Sequence, residues 1–506
     1  MVLGFDLFML NITTFLDANA LRLDKDVFYC PETETRYNSR ELLGIVSQLG
    51  RNLKEREIKM GDRVLIYLKS SPEYLFSMLA CWRIGAVAVP TNRVYKKSEL
   101  EYLINNSEAK LVITDTEGEK LIKENFNINT LIPQNINTFK DSEILPAANT
   151  SWDTLCQLQY TSGTTGKPKG SMLTHGNWFA SIHNEADVLN LKEDDTALII
   201  YPMAHVGLSW GISALHVGAL YIMMERYNFD DYKRLIVNEK VSVLSGMPPI
   251  IHSLTNLESQ DINCFDTVRE IISGGGPLHK TIWRKFTEMY NIPIINAYGL
   301  SETIVIGTGT VIRPEDYAEA DRFESVGHPV CFSECKIVDT EDSNKDLDKY
   351  QCGEIMLRGP AIAKGYWNMP KETKEVFRED GWFLTGDIGY IDKDNRLFVT
   401  DRKKDMIVMS GWKIYPTEVE DTLLKYEKVS DIAIFSIPDE HRGELPVAAV
   451  IWKKEEDKEG LIQFARENLA GYKVPRRIYS TDKLPRVNDW KLLRKELINI
   501  FEPNLK

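Results

Sequence analysis

What the chain lacks narrows its identity first. No uncharged apolar stretch approaches the roughly 18 residues that a membrane-spanning helix needs. The apolar start MVLGFDLFMLNITTF has no basic leader and is broken by Asp6, so no signal peptide is expected either. Cysteine is sparse: seven residues in 506, scattered and without a C-x-x-C pair. That excludes a disulfide scaffold and fits a reduced, cytoplasmic compartment. The eight histidines show neither H-x-x-x-H nor Cys/His metal spacing, so no zinc-type site is expected. Basic charge is in deficit, 61 Lys and Arg against 74 Asp and Glu, a net −13. Without a basic stripe, nucleic acid is excluded as an expected partner. Internal repeats and low-complexity tracts are also missing. With 43% hydrophobic and 27% charged residues the composition is that of a globular protein, and the length predicts two to four domains.

Short runs rich in Val, Ile and Ala do occur, among them RVLIYL (63–68), AVAVP (86–90), KLVITD (110–115), ALIIYP (197–202), VSVLSG (241–246) and EIISGG (270–275). Helix-like stretches such as SPEYLFSMLACWRIG (71–85) separate most of them. Buried strands alternating with helices predict α/β architecture with parallel sheets covered on both faces. In such folds ligands bind where the strand C-termini meet loops. After about residue 325 the strands become shorter and the turns more polar. The charge run DRKKD (401–405) precedes an amphipathic stretch at 418–429, strands at 431–439 and 446–454, and a helix at 461–470. This predicts a large domain over 1–401 and a smaller one over 402–506.

The most informative segment is YTSGTTGKPKG (160–170). Glycine lets backbone amides approach an anion closely, and successive amides, hydroxyls and ammonium groups wrap a polyphosphate. Thr161, Ser162, Gly163, Thr164, Thr165, Gly166, Lys167 and Lys169 are the candidate phosphate ligands. The segment is not a Walker A loop: only two residues separate Gly163 from Gly166, and Pro168 follows Lys167. Proline disfavours helical angles at the residue before it, so an extended loop is expected.

This segment resembles the phosphate-loop signature of the adenylate-forming (AMP-binding) enzymes of acyl- and aryl-CoA synthetase type. Seven further motifs follow in that family's order: PMAH (202–205), SGGGPL (273–278), NAYGLSET (296–303), GEIMLRGP (353–360), GWFLTGD (381–387), DRKKDMIVMSGWKIYPTEVE (401–420) and LPRVNDWKLLRKEL (484–497). The resemblance implies a fold of two α/β subdomains plus a small β-barrel-like subdomain, followed by a smaller mobile α+β C-terminal domain. It implies two half-reactions, in which a carboxylate attacks the α-phosphate of ATP to give an acyl-adenylate, and coenzyme A then displaces AMP.

The same resemblance assigns roles to individual residues. Lys491 is the lysine required for adenylation, although Asp489 and Trp490 replace the family's usual Ser-Gly before it. Glu302 is the Mg²⁺ carboxylate and Ser301 a phosphate-facing hydroxyl. Tyr298 stacks on adenine with Gly274, Gly275 and Gly276 opposite, Gly299 follows in the same motif, and Asn296 bonds the adenine amino group. Asp387 takes the ribose hydroxyls and Arg402 the ribose or phosphate oxygens, while His205 lies beside the substrate carboxylate. Lys404 is the hinge, and Gly411 with Trp412 borders the path of the thiol arm.

The resemblance thus implies a small carboxylic acid (fatty, branched or aromatic), ATP, Mg²⁺ and CoA as reactants. The stretch HVGLSWGISALHVGAL (205–220) contains no acidic residue to pair a substrate ammonium, which argues against an amino acid. A freestanding enzyme loading a carrier protein and an inactive nucleotide-binding regulator are the alternatives, and a homodimer is compatible with the sequence.

Overall fold

The computed structural model describes residues 10–133, 144–161, 168–257, 263–276, 278, 280–313, 324–487 and 491–503. The chain divides into two compact units, Met1–Cys335 with Leu357–Leu384, and Lys336–Met356 with Thr385–Lys506.

Two sheets organise the first unit. The smaller has six strands in the order Asn129–Leu131, Leu111–Thr114, Arg63–Leu68, Val87–Asn92, Leu155–Thr161 and Lys169–Thr174. All neighbours are parallel except the last pair. Its central strand RVLIYL is buried at five of six positions, which explains the unbroken apolar run: helices cover both faces, so no position alternates to solvent. The next helix, Pro72–Arg83, starts where the sequence dictates. Ser71 caps it through the Tyr74 amide, and Pro72 occupies the first turn, where its missing N–H costs nothing.

The larger sheet has nine strands. Thr196–Ile199, Val243–Ser245, Glu270–Ser273 and Ile294–Leu300 run side by side and parallel, with Val243 opposite both Ala197 and Glu270, and Ile271 opposite Ile294. Their C-terminal ends therefore lie along one edge. The Pro202–His205 turn, the Gly274–Gly276 bend and the Ser301–Thr303 turn all leave from that edge.

The second unit holds most of a four-stranded sheet in the order Glu334–Val338, Gly353–Arg358, Phe383–Ile391, Leu397–Arg402. It also holds Trp412–Ile414, Ile407–Met409, Gly443–Trp452 and Val429–Asp439, with Ile478–Ser480 on the far side of Gly443–Trp452. Helices Pro416–Leu423 and Lys458–Asn468 bury Val419, Leu423, Leu461 and Ala465 against these strands. The first is shorter than the amphipathic stretch predicts. After Leu423 the bonds Lys425 N–H to Thr422 and Tyr426 N–H to Leu423 tighten the chain into a turn toward Val429.

The division also differs from a single cut between residues 401 and 402. Strand pairing is the reason: Asp387 lies opposite Arg402 and Ile388 opposite Asp401, so residues from 385 onward group with the C-terminal strands. Among the described residues no helix is long and apolar enough to cross a membrane.

Candidate active site

In the first unit the predicted phosphate loop joins two antiparallel strands. Thr161 ends one and Lys169 begins the other, and the two residues face each other in register. Ser162, Gly163, Thr164, Thr165, Gly166 and Lys167 lie outside the described residues. Lys169 Nζ sits 5.0 Å from the centre of the Tyr366 ring, a cation–π distance. The Tyr366 hydroxyl donates to Glu302 Oε1 at 3.0 Å. Burial first, and the adjacent Glu302 carboxylate second, push the phenol far above its ordinary range, so it remains a donor. Lys169, Tyr366 and the buried Glu302 thus form one linked group. Tyr366 lies outside every quoted motif, 64 residues from Glu302, and only the fold reveals it.

The NAYGLSET segment, on the strand Ile294–Leu300 and the turn Ser301–Thr303, carries further candidates. Gly299 is required by close approach, since a Cβ there would lie 1.7 Å from the Val305 carbonyl oxygen. Asn296 Nδ2 donates to the Ser325 carbonyl at 3.2 Å, so a role toward an adenine amino group falls to Oδ1. Tyr298 and Ser301 are half-buried. Gly274 is buried, Gly276 half-buried, and Gly275 has φ +84°, which favours glycine. Beyond Glu302, Ile304 and Val305 hold φ +46° and +50°, a conformation that β-branched residues rarely adopt.

His205 is exposed and closes the turn through its N–H to Pro202 O at 3.0 Å. The turn is tied to the strand that leads into the phosphate loop, because the buried Gln159 donates to Ala204 O at 2.9 Å. The following Gly207-Leu208-Ser209-Trp210-Gly211 has the G-x-S-x-G spacing of a nucleophile elbow. It is not one here: Ser209 is wholly buried and its hydroxyl is engaged by Glu185.

The second unit carries the remaining candidates. Asp387 is buried, and its Oδ1 lies 3.1 Å from Arg402 Nε. Two residues missed by sequence reasoning brace this pair. Buried Glu354 accepts the Gly386 N–H at 3.1 Å and Lys403 Nζ at 2.6 Å. Glu354 belongs to the quoted GEIM segment, which was the available signal. Lys404 is exposed in the turn Lys403–Asp405. Gly411 has φ +84° with open space around it. Trp412 is 59% exposed and stacks on Tyr472 with ring centres 4.8 Å apart. Lys491 begins a short strand, Lys491–Leu492, paired with Arg486–Val487; its side chain and residues 488–490 lie outside the described residues.

Residues 15–367 match the family described as AMP-binding enzyme, and residues 418–491 match the AMP-binding enzyme C-terminal domain. The chain is 32% identical over 492 residues to a 2-succinylbenzoate–CoA ligase of Geobacillus sp. strain WCH70, covering 94% of this chain and 96% of that one. It is 31% identical to a long-chain-fatty-acid–CoA ligase of Bacillus subtilis, over 87% of this chain and 86% of that one. The solved structure of Bacillus subtilis o-succinylbenzoate CoA synthetase with ATP and a magnesium ion superposes with a TM-score of 0.85, at 28% identity over 96% of this chain and 99% of that one. The motifs and the match over most of the length agree: this chain belongs to the adenylate-forming AMP-binding enzymes.

Proposed function

We propose that the chain is an AMP-forming acid–CoA ligase. The observation that carries this reading is the linked group Lys169–Tyr366–Glu302, set where the phosphate loop opens and on the same unit as the His205 turn. The relatives named above, both CoA ligases, support the thiol acceptor.

The chemistry then follows from charge placement. The substrate carboxylate oxygen attacks the α-phosphorus and pyrophosphate leaves; the CoA sulfur next attacks the acyl carbon, AMP leaves and the thiol proton is released. Both steps build negative charge on oxygen, which fixed donors and cations stabilise. Lys169 faces the polyphosphate. Lys491, a compact ammonium on a flexible stem, acts at the attacking and bridging oxygens. Asp387 accepts the ribose hydroxyls, held in place by Arg402, and His205 orients the acid.

The residues present also fit Mg²⁺. The ion ordinarily takes one or two protein carboxylates and fills its octahedron with phosphate oxygens and water. Glu302, buried and aimed by Tyr366, would supply one such carboxylate. When bound, the ion offsets the charge of the phosphates.

The test is pyrophosphate release with a panel of aromatic, branched and fatty acids, with and without CoA. Acid-dependent release plus a CoA thioester is expected. Release that never depends on an acid refutes the ligase reading, and adenylate formation with transfer only to a carrier protein refutes CoA as the acceptor.

A further inference from the structure

Glu185 lies on the helix His175–Val188, wholly buried and outside the nucleotide and phosphate machinery. Three serine hydroxyls surround its carboxyl. Ser209 Oγ is 2.5 Å from Oε1, Ser181 Oγ is 3.3 Å from Oε1, and Ser213 Oγ is 2.9 Å from Oε2. Ser209 and Ser213 open the helix Ser209–Val217, which continues directly from the His205 turn. Two of these hydroxyls have a second acceptor in reach. Ser181 Oγ is 3.0 Å from Ile304 O, and Ser213 Oγ is 2.8 Å from Ser209 O.

Counting hydrogens decides the protonation state. Each serine has one hydrogen to give. With a proton on Oε2, the carboxyl donates to Ser213, Ser213 donates to Ser209 O, Ser209 donates to Oε1, and Ser181 donates to Ile304 O. Every buried acceptor is then satisfied. An ionised carboxylate would take the Ser213 hydrogen on Oε2, withdrawing it from Ser209 O, and, as a charged and stronger acceptor, would compete through Oε1 with Ile304 O for the Ser181 hydrogen.

No cation compensates for ionisation among the described residues. The packed helix Ser209–Val217 brings His216, whose imidazole burial holds down at about 4, and Glu185's own helix brings His183. The strand Val305–Val311 brings no titratable group. Tyr201, before the turn, has its phenol pushed up chiefly by burial, and Lys169 is engaged at the Tyr366 ring.

Ile304 O also accepts the Gly307 N–H at 2.9 Å. The Ser181 hydroxyl and the Gly307 N–H thus both hold the Ile304 carbonyl, in a strained left-handed turn two residues beyond Glu302 that is also tied by Ile304 N–H to Ser301 O and by the Thr303 hydroxyl to Val305 O.

We propose that Glu185 is a positioning residue held as a neutral carboxylic acid, whose proton frees Ser181 to fix the strained Ile304–Val305 turn behind Glu302, and whose ionisation releases that turn. The inference rests on the reading that the Glu302 turn serves adenylation. Burial without a countercharge raises the Glu185 carboxyl to about 8, so the release falls in the mildly alkaline range.

The test is the pH profile of acid-dependent ATP–pyrophosphate exchange by the full chain. In the native protein kcat/KM for MgATP is expected to fall about three- to tenfold as pH rises from roughly 7 to 9.5. Glu185→Gln, whose amide donates where the acid proton does, keeps near-native exchange at pH 7 and loses that alkaline limb. Ser181→Ala shows the low alkaline value already at pH 7. Infrared titration of the native protein over the same range follows the protonated-carboxyl band without relying on a variant. A limb unchanged in Glu185→Gln, or no carboxyl titrating in that range, overturns the proposal. Glu302→Gln serves as the separate control: if it exchanges pyrophosphate like the native chain, the adenylation reading of that turn fails instead.

Discussion

Replacing Asp387 by asparagine separates the nucleotide role of this residue from a structural one. Its carboxylate is buried, with Arg402 Nε at 3.1 Å, but the Arg402 side chain is 48% exposed. Water therefore screens the ion pair and re-solvates the guanidinium when the charge is removed, so the fold loses about 1 kcal/mol or less. The loss toward ATP is larger. Asparagine keeps one acceptor oxygen and surrenders one charge-assisted bond to a ribose hydroxyl, worth about 1.5–3 kcal/mol. At roughly 1.4 kcal/mol per tenfold change, the Kd for ATP should rise about 10- to 150-fold. Calorimetric titration of ATP in the absence of acid reads this directly, and thermal unfolding without nucleotide reads the structural part. An ATP affinity within twofold of native, or a loss of melting temperature large enough to account for the weaker binding, would refute the reasoning.

In the second unit, Lys491→Ala should cut adenylation severely and leave thioester formation from a supplied adenylate largely intact; equal loss in both steps contradicts the assigned role. Trp412→Ala removes an exposed ring stacked on Tyr472 and should raise KM for CoA about tenfold, the scale of a lost aromatic contact, with pyrophosphate exchange unchanged; a normal KM for CoA counts against it. Arg494 binds both oxygens of Glu420, donates to Ile434 O at 2.8 Å and lies 4.0 Å from Asp405. Asp401 lies within its field: burial raises that carboxyl to about 6, and Arg494 acts to lower it. Arg494→Ala strands buried acids at a cost of about 3–5 kcal/mol. Hydrogen exchange at the Ile434 amide, which donates to Glu420, should accelerate accordingly, and unchanged protection there would overturn the assignment.

Much of the α/β body can be read from residues alone, because its physics is local. An unbroken apolar run such as RVLIYL reports a strand covered on both sides, and Ser71-Pro72 reports a helix start. The glycine at 299 can be read as part of a motif, but the reason for it, the Val305 carbonyl against its α-carbon, cannot. What stays illegible depends on partners far apart in sequence. Tyr366 reaches Glu302, Glu354 braces Lys403, Tyr472 receives Trp412, and Glu185 collects hydroxyls from two helices. No periodicity marks such pairs, since each residue alone looks like an ordinary core or surface position. The placing of the boundary shows the same limit: the charge run at 401–405 is conspicuous, whereas the pairing of Asp387 with Arg402 is decided by the sheet.

The backbone passes between the two units three times, at 335/336, 356/357 and 384/385. A single nick in any one of these segments leaves two covalent threads in place, so protease cleavage there should not release a fragment until the chain is denatured. Exchange of the C-terminal portion with a relative's meets the same constraint. A graft joined only at residue 402 would leave the four-stranded sheet native and set it in one unit with foreign C-terminal strands and helices, whereas one that also replaces 336–356 and begins at 385 carries most of the four-stranded sheet with it.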